Sequence, residues 1–499
     1  MPERRDAGEL PDEENQPLLD QHVVSAEDGV ESIQPDAEFG GPEERKKLEK
    51  SLLRKLDGRM SILIVIYILN YIDRNNASAA RLRGFEKDLH LEGSQFATIL
   101  SVLYVGYILM QIPSNMYLSS VGRPSVYLPS CMVIWGLLSI ATGFTTNFLG
   151  ALVTRFFLGF VEAAFFPGAL FLISKWYKRN ELSQRTALLS VGSLISNAFG
   201  SLIASGILDT MEGRLGYSAW RWLFFVEGAL TVFVATCAVF ILPDFPETSC
   251  SWLTPAELAL ARRRILEDAG PNLRHSLFDG KVKQSPWSGL RLAVKDWKVW
   301  WLAVTLTAMA VSLSFHAYFP TLCGTMGYNP TLTLLLCVPP WIFATFVALF
   351  VSRRSDELGE RCLHIVVPIY VGLLGFVMSI VTMNIVVRYI SLFLMAQSYA
   401  GFICFLAWTS SSVSHPPEKR AVALALINCV SQLGNVAGSY MWPSAWGPSY
   451  NKSYTICIAT SALTVVLCFH FRRHLESLNA DAERFEVERG TNKGSRYML

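Results

Sequence analysis

Arg155-Phe-Phe-Leu-Gly159-Phe-Val-Glu162-Ala-Ala-Phe-Phe-Pro167-Gly168 is the stretch on which the reading of this chain turns. It lies inside an apolar segment running from about Phe148 to Tyr177. An arginine and a glutamate stand where a membrane helix otherwise carries Leu, Val and Phe. Each costs about 2.5–3.5 kcal/mol at a helix centre. Their spacing of seven residues returns them to nearly the same helical face, ~10 Å apart along the axis. One face therefore presents a cation, a small residue (Gly159) and an acid. Pro167 predicts a bend one turn past Glu162.

The rest of the composition agrees with a bilayer setting. Hydrophobic residues make up 51% of the chain and charged residues only 17%, the charges crowding into the first 59 residues, a central stretch and the tail. That profile fits a polytopic helical membrane protein, because a soluble protein would show amphipathic helices. The net charge of +2 suggests no nucleic-acid partner. The ten cysteines form neither CxxC nor a His-alternating ligand pattern, so they read as small packing residues and no metal site is expected. No Gly-x-x-x-x-Gly-Lys-[Ser/Thr] phosphate loop and no Ser/His/Asp cluster is present, so neither an ATP-driven pump nor an enzyme is expected, and no cofactor.

Apolar segments recur at about 60–81, 95–118, 126–146, 148–174, 186–209, 220–242, 298–320, 331–351, 364–384, 388–411, 420–442 and 453–471. Each is about 20 residues, the length that crosses hydrocarbon. Basic residues fall in alternate loops: Arg123, Lys175/Lys178/Arg179/Arg185, Arg353/Arg354/Arg361, Lys419/Arg420 and Arg472/Arg473. The positive-inside rule then puts both termini in the cytosol. The expected divisions are a disordered cytosolic tail (1–56), a six-helix bundle (57–243), a cytosolic linker (244–296), a second six-helix bundle (297–473) and a cytosolic tail (474–499). The first tail has no signal-peptide pattern, and Glu14-Asn-Gln-Pro-Leu18-Leu19 fits an acidic dileucine motif. Within the linker, Thr254-Pro255-Ala256-Glu257 reads as a capping box opening an amphipathic helix.

The halves echo each other. Gly122-Arg123 follows the second span, and Asp356-x-x-Gly359-x-Arg361 follows the eighth. The latter turn resembles the loop signature of the major facilitator superfamily. Asn70-Tyr-Ile-Asp73-Arg74, Arg155…Gly159…Phe166-Pro167-Gly168, Trp220-Arg221-Trp222…Glu227-Gly228 and Leu242-Pro243-Asp244-Phe245-Pro246-Glu247-Thr248 with Trp252-Leu253-Thr254 add to it. Together they resemble the anion:cation symporter branch, in particular its fungal allantoate permease-like members, over about residues 56–473. The resemblance implies an all-α fold of twelve transmembrane helices in two six-helix bundles, with substrate held near mid-depth between them. The first loop departs from the signature, having no acid before Gly122, so Asp356 with Arg361 is the candidate gate.

Arg74 lies some fifteen residues into an outward-running span and Arg155 about eight residues into an inward-running one, so both land in the outer third. Two guanidiniums at one depth can grip a carboxylate bidentately. For Arg74 the alternatives are pairing with Asp73 or snorkelling. In the family resembled, arginines of spans 1 and 4 contact the anionic substrate, a role the resemblance carries to Arg74 and Arg155. Glu162 sits near mid-bilayer, where burial disfavours the charged carboxylate, making it a candidate proton carrier. The resemblance assigns a span-4 acid to proton coupling as well. A permanent Arg155–Glu162 tie is the alternative. Glu227 is a second proton-coupling candidate or a structural residue. His316 is either a site residue or a packed one. Asn428, Gln432 and Asn435 form one helical stripe that lines the cavity or bonds neighbouring helices. Tyr67, Asn70 and Asn197 are candidates for the cavity lining of the first half.

These readings predict a monomeric, proton-coupled secondary transporter for a small organic anion, with protons and the lipid bilayer as its other partners. By the resemblance, the substrate is an allantoate-, nicotinate- or pantothenate-like carboxylate taken up across the plasma membrane, a vacuolar or other endomembrane being the alternative. The rivals are an exporter of a fungal secondary metabolite and a nutrient sensor on a transporter scaffold.

Overall fold

A computed structural model describes residues 37–246, 252–268, 286–413, 417–489 and 496–499, and the dileucine pattern at 14–19 lies outside them. Backbone groups in hydrocarbon must satisfy one another, and all regular structure among the described residues is helical. The first half holds α1 (Pro42–Arg81), α2 (Gln95–Val121), α3 (Pro124–Gly143), α4 (Phe148–Glu162), α5 (Phe165–Trp176), α6 (Arg179–Thr210) and α7 (Ala219–Ile241). A linker helix α8 (Pro255–Asp268) and a short α9 (Pro286–Lys295) lead to the second half. That half holds α10 (Trp297–Ser312), α11 (Phe319–Gly324), α12 (Pro330–Leu358), α13 (Cys362–Val381), α14 (Ile385–Ala396), α15 (Tyr399–Ser412), α16 (Pro417–Ser439) and α17 (Asn451–Arg489).

Eleven candidate spans among the described residues have the length and hydropathy to cross a membrane. The twelfth is the second part of α1, where Asn70, Asp73, Arg74, Asn75 and Asn76 dilute an otherwise apolar run. The chain is thus an all-helical integral membrane protein. Three spans are broken: α4 passes into α5, α14 into α15, and α10 into α11 through a 3-10 turn at Ser314–Tyr318. The first break lies at Ala163–Ala164, upstream of the bend expected at Pro167. The physical reason is that a proline ring clashes with the carbonyl four residues before it, here that of Ala163. Spans end by local chemistry. The Asn147 side chain accepts from Gly150 N (2.8 Å) and that of Asn329 from Leu332 N (2.7 Å). Gly122 and Gly359 close α2 and α12 at φ +69° and +63°, so the two echoing turns share one left-handed geometry.

Glycines set the tightest contacts. A Cβ on Gly228 would lie 2.7 Å from the Gly136 carbonyl oxygen, where α7 meets α3. A Cβ on Gly159 would collide with the Leu103 carbonyl of α2, and one on Gly434 would lie 2.5 Å from the Thr307 carbonyl of α10. The halves meet through α2 against α16 and α6 against α12.

The face carrying the linker is here called the linker face. There α1 starts at Pro42, so residues 42–56 are helical where the charge pattern led to an expected disordered tail. Their order has a visible cause, since α8 docks on them. Arg264, fully buried, pairs with Glu49 (2.6 Å) and with Glu181, and Lys55 pairs with Glu257 (2.7 Å). The expected capping box is present, with Thr254 N donating to Glu257 Oε2 (3.0 Å) and Glu257 N to Thr254 Oγ1 (3.3 Å). Burial pushes the Glu257 carboxyl up, but donors from Lys55, Thr254 and Ser51 outweigh it and hold the group below its ordinary value. At the other end α17 continues past residue 473 to Arg489, and residues 496–499 return to the second half, where Trp408 Nε1 donates to the Met498 carbonyl (2.9 Å).

On the opposite face the halves are joined. Arg83 donates to Thr331 Oγ1 (3.1 Å), which donates to Asp209 (2.9 Å), and Ser205 donates to the Thr331 carbonyl (3.2 Å). Tyr440 reaches Thr98 (3.1 Å) and Ser101 (3.2 Å), and Ser78 donates to the Ala317 carbonyl. At mid-depth Cys429 meets the Ile108 carbonyl at 3.8 Å. Among the described residues no hydrogen bond or ion pair joins the two halves at the linker face. The molecule is therefore closed on the opposite face.

Overpacking the α2–α4 contact is expected to be costly. Gly159→Leu should lower stability by about 3 kcal/mol, read as a drop in melting temperature of the purified protein. Gly206→Leu, where a Cβ meets open space, should leave the melting temperature unchanged.

Candidate functional site

The polar residues predicted on α1, α4, α6 and α7 converge in the first half. Arg74 Nε donates to Glu162 Oε2 at 2.6 Å, with the glutamate side chain wholly buried and the arginine 11% exposed. This answers two questions left open by the sequence. Arg74 pairs with Glu162 rather than with Asp73, and Glu162 is tied to Arg74 rather than to Arg155. The Arg74 guanidinium also lies over the Tyr107 ring (4.7 Å) and the Tyr71 ring (5.4 Å).

Asp73 points the other way. It accepts from Ser139 on α3 (3.0 Å) and Thr231 on α7 (2.9 Å), stitching three helices together. Arg155, 1% exposed, donates through Nη1 to the carbonyl oxygens of Asp73 and Arg74, both at 3.2 Å, and lies over the Phe224 ring (5.3 Å). Its Nε and Nη2 have no hydrogen-bond partner. Glu227 is as deeply buried, and neither of its oxygens has a hydrogen-bond partner.

Two adjoining pockets lie between the halves. Arg74 and Arg155 line one of them with Tyr104, Leu103 and, from the second half, Ala317. The other is lined by Asn75, Asn76, Ser196 and Asn197 from the first half and by His316 and Trp341 from the second. Asn75 and Ser78 line both. Within the second pocket, Asn75 donates to Asn197 (2.7 Å). The structure thus brings Arg74 and Arg155 to one pocket and Asn197 and His316 to its neighbour.

Other predicted residues stand apart from it. Tyr67 stacks on Phe165 and Phe166 and donates to Tyr71 (3.4 Å), while Asn70 is buried with its Nδ2 unmatched. Gln432 donates to Asn428 (3.3 Å) and Asn435 to Gln432 (2.9 Å), so the α16 stripe bonds along its own helix. Arg361 pairs with Asp356 at 2.5 Å within one turn of the second half, making no contact across the halves among the described residues. Sequence reasoning passed over Asp73 as an anchor, and Asn75, Ser78, Tyr104 and Trp341 as lining residues. The polar run Asn70–Asn76 was the available signal for the α1 members; Tyr104 and Trp341 look like ordinary membrane-helix aromatics.

Comparison with known proteins agrees with this architecture. The profile of the Major Facilitator Superfamily matches residues 63–439. The chain is 32% identical over 434 residues to the MFS-type transporter cnsO of Penicillium expansum, spanning 84% of this chain and 82% of that one. It is 30% identical over 430 residues to the major facilitator-type transporter hxnP of Emericella nidulans, spanning 84% of each. Among solved structures, a bacterial homologue of the human lysosomal transporter Spinster, inward-facing and occupied, superposes with a TM-score of 0.61 at 14% identity over 84% of this chain and 97% of that one. The xylose transporter XylE of E. coli, partially occluded and inward open, gives 0.59 at 14% identity over 83% and 99%. At such identities these two structures speak for the fold.

The Arg74–Glu162 pair has a direct thermodynamic test. Arg74→Leu leaves a buried carboxylate without its cation and should cost about 3–5 kcal/mol. The double variant Arg74→Leu/Glu162→Leu should return close to the parent stability, because an apolar pair of similar volume replaces both charges. Thermal unfolding of the four proteins of the cycle reads both values.

Proposed function

The chain belongs to the major facilitator superfamily, and from that premise we propose that it is a proton-coupled uptake transporter of the anion:cation symporter branch, carrying a small organic anion. The observation that supports this most is Arg155. A guanidinium removed from water, held only by two carbonyls and an aromatic face, with Nε and Nη2 unmatched, lines a pocket beside a second guanidinium. Such a group is a ready partner for a carboxylate.

Coupling follows from competition for Arg74. A substrate carboxylate that engages Arg74 and Arg155 displaces Glu162 from its 2.6 Å contact. A carboxylate stripped of its cation in a dry interior is costly, so Glu162 takes up a proton. Release of the substrate restores the Arg74–Glu162 pair and frees the proton. Glu227, behind Arg155, is the second proton-coupling group. Asn75, Asn197 and Ser196 in the adjoining pocket offer donors and acceptors suited to an amide-bearing acid, such as a ureide or vitamin-like carboxylate. His316 and Trp341 supply the opposite wall. Tyr67, Asn70, Asn428, Gln432 and Asn435 line the route opened when the halves separate, and the Asp356–Arg361 turn serves as a gate at the linker face.

The basic loops support a cytosolic linker face with both termini inside; the plasma membrane is the proposed site of uptake. The closed opposite face is then the one turned away from the cytosol. Protons moving inward supply about 2.3 kcal/mol per charge for each 100 mV.

An uptake screen over small carboxylates at two pH values tests the whole reading. Expression of the protein should give accumulation that rises at the lower external pH; flux only out of cells, or only into inside-out vesicles, assigns it to export instead. Arg155→Ala should abolish uptake with membrane expression intact, and full activity there removes its substrate role. Glu162→Gln should lose proton-driven accumulation and keep exchange of substrate for substrate. An unchanged pH dependence in that variant ends the coupling role of Glu162.

A further inference from the structure

The last helix before the second half, α9, is not needed to span anything, yet it is built with three distinct faces. Gly289 and Ala293 are buried on the side that packs against α16. Arg291 and Lys295, one helical turn apart, are exposed on the side opposite. Leu292 and Val294, 45% and 44% exposed, flank that basic side.

The first turns of α10 set the depth of α9. Trp300 Nε1 donates to the Val294 carbonyl at 2.8 Å, tying the end of α9 to the start of α10. Trp297, Trp300 and Val304 form an exposed stripe at i, i+3 and i+7 on α10, continuous with the exposed apolar residues of α9. An exposed stripe on a membrane-crossing helix is a lipid-facing stripe, and paired tryptophans mark the headgroup level. The elbow is held rigidly: Asp296, 7% exposed, caps α10 through Lys298 N (2.9 Å) and pairs with Lys419 of α16 (2.9 Å). Among the described residues no acid pairs with Arg291 or Lys295.

We propose that α9 lies in the headgroup layer of the cytosolic leaflet, and that Arg291 and Lys295 together hold the phosphate of an anionic phospholipid. The assignment of the leaflet rests on the orientation given under Proposed function. Charge complementarity selects the occupant, since the cytosolic leaflet is the one rich in acidic lipids and a basic amphipathic segment at its surface is drawn to it. Apolar flanks and the tryptophan pair sink into the acyl boundary, leaving the two cations at phosphate height. Through Ala293 and the Asp296–Lys419 pair the lipid contact steadies α16, a helix at the junction of the two halves.

The test uses the full chain in nanodiscs of phosphatidylcholine, with or without phosphatidylserine, and needs no transport, so it fails separately from the proposed function. Phosphatidylserine should raise the melting temperature of the parent protein. The double variant Arg291→Gln/Lys295→Gln should lose at least half of that rise, while Arg353→Gln, an exposed cation elsewhere on the linker face, keeps it. A rise absent from the parent, or retained in full by the double variant, overturns the proposal. Photo-crosslinking phosphatidylserine on the parent protein gives a second readout that requires no variant. Labelling should map to residues 286–300, and labelling confined to other segments likewise overturns it.

Discussion

Charge inside hydrocarbon is the constraint on which the first half depends, and the Arg74–Glu162 contact is its centre. Both groups are too costly to leave alone at that depth. Three buried carboxyls (Asp73, Glu162 and Glu227) face two guanidiniums, Arg74 and Arg155. The structure distributes them unequally. Glu162 receives a cation, Asp73 receives two hydroxyl donors, and Glu227 receives neither. Arg155 is left on carbonyl oxygens. Such an arrangement holds together as it stands, yet keeps unsatisfied donors and acceptors within reach of the pocket between the halves.

That unequal distribution is tolerable because the helices around it are packed closely and differently on their two sides. Within each half, glycines let backbones touch, as at Gly136–Gly228 and Gly159–Leu103. Between the halves, the hydrogen bonds at the opposite face join hydroxyls, one arginine, the Asp209 carboxylate and backbone carbonyls. Small polar contacts of this type separate at little cost, whereas the glycine-mediated contacts do not. Alternating access in this superfamily requires movement between the halves, and hydrogen bonds of this kind are ones that such movement can exchange. At the linker face, Arg264 with Glu49 and Glu181 binds the linker helix α8 to the first half, while α9 packs on α16 of the second.

Much of this was legible in the residues themselves. Hydropathy located the spans, because hydrocarbon requires about 20 apolar residues whatever their neighbours are. The capping box at Thr254–Glu257 and the echoing turns at Gly122 and Gly359 were readable because a cap or turn is decided within four residues. Charges in the spans identified Arg74, Arg155, Glu162 and Glu227 as the residues to follow. Local rules reached less far at Pro167, whose effect falls four residues upstream on Ala163, and at residues 42–56, whose helix is held by a segment some 200 residues later, as in the Lys55–Glu257 pair.

The sequence by itself determined a membrane-spanning helical chain divided by one polar linker, and which few side chains carry charge at depth, since hydropathy, caps and charge count are properties of short segments; its resemblance to a family supplied the transporter reading. Which charge meets which was decided by the tertiary structure alone. Arg74 and Glu162 are 88 residues apart in the chain, and their meeting depends on how α1 and α4 are rotated about their axes. That rotation is fixed by packing against α2, α3 and α7, where a single glycine or hydroxyl on a third helix sends Asp73 one way and Arg74 the other.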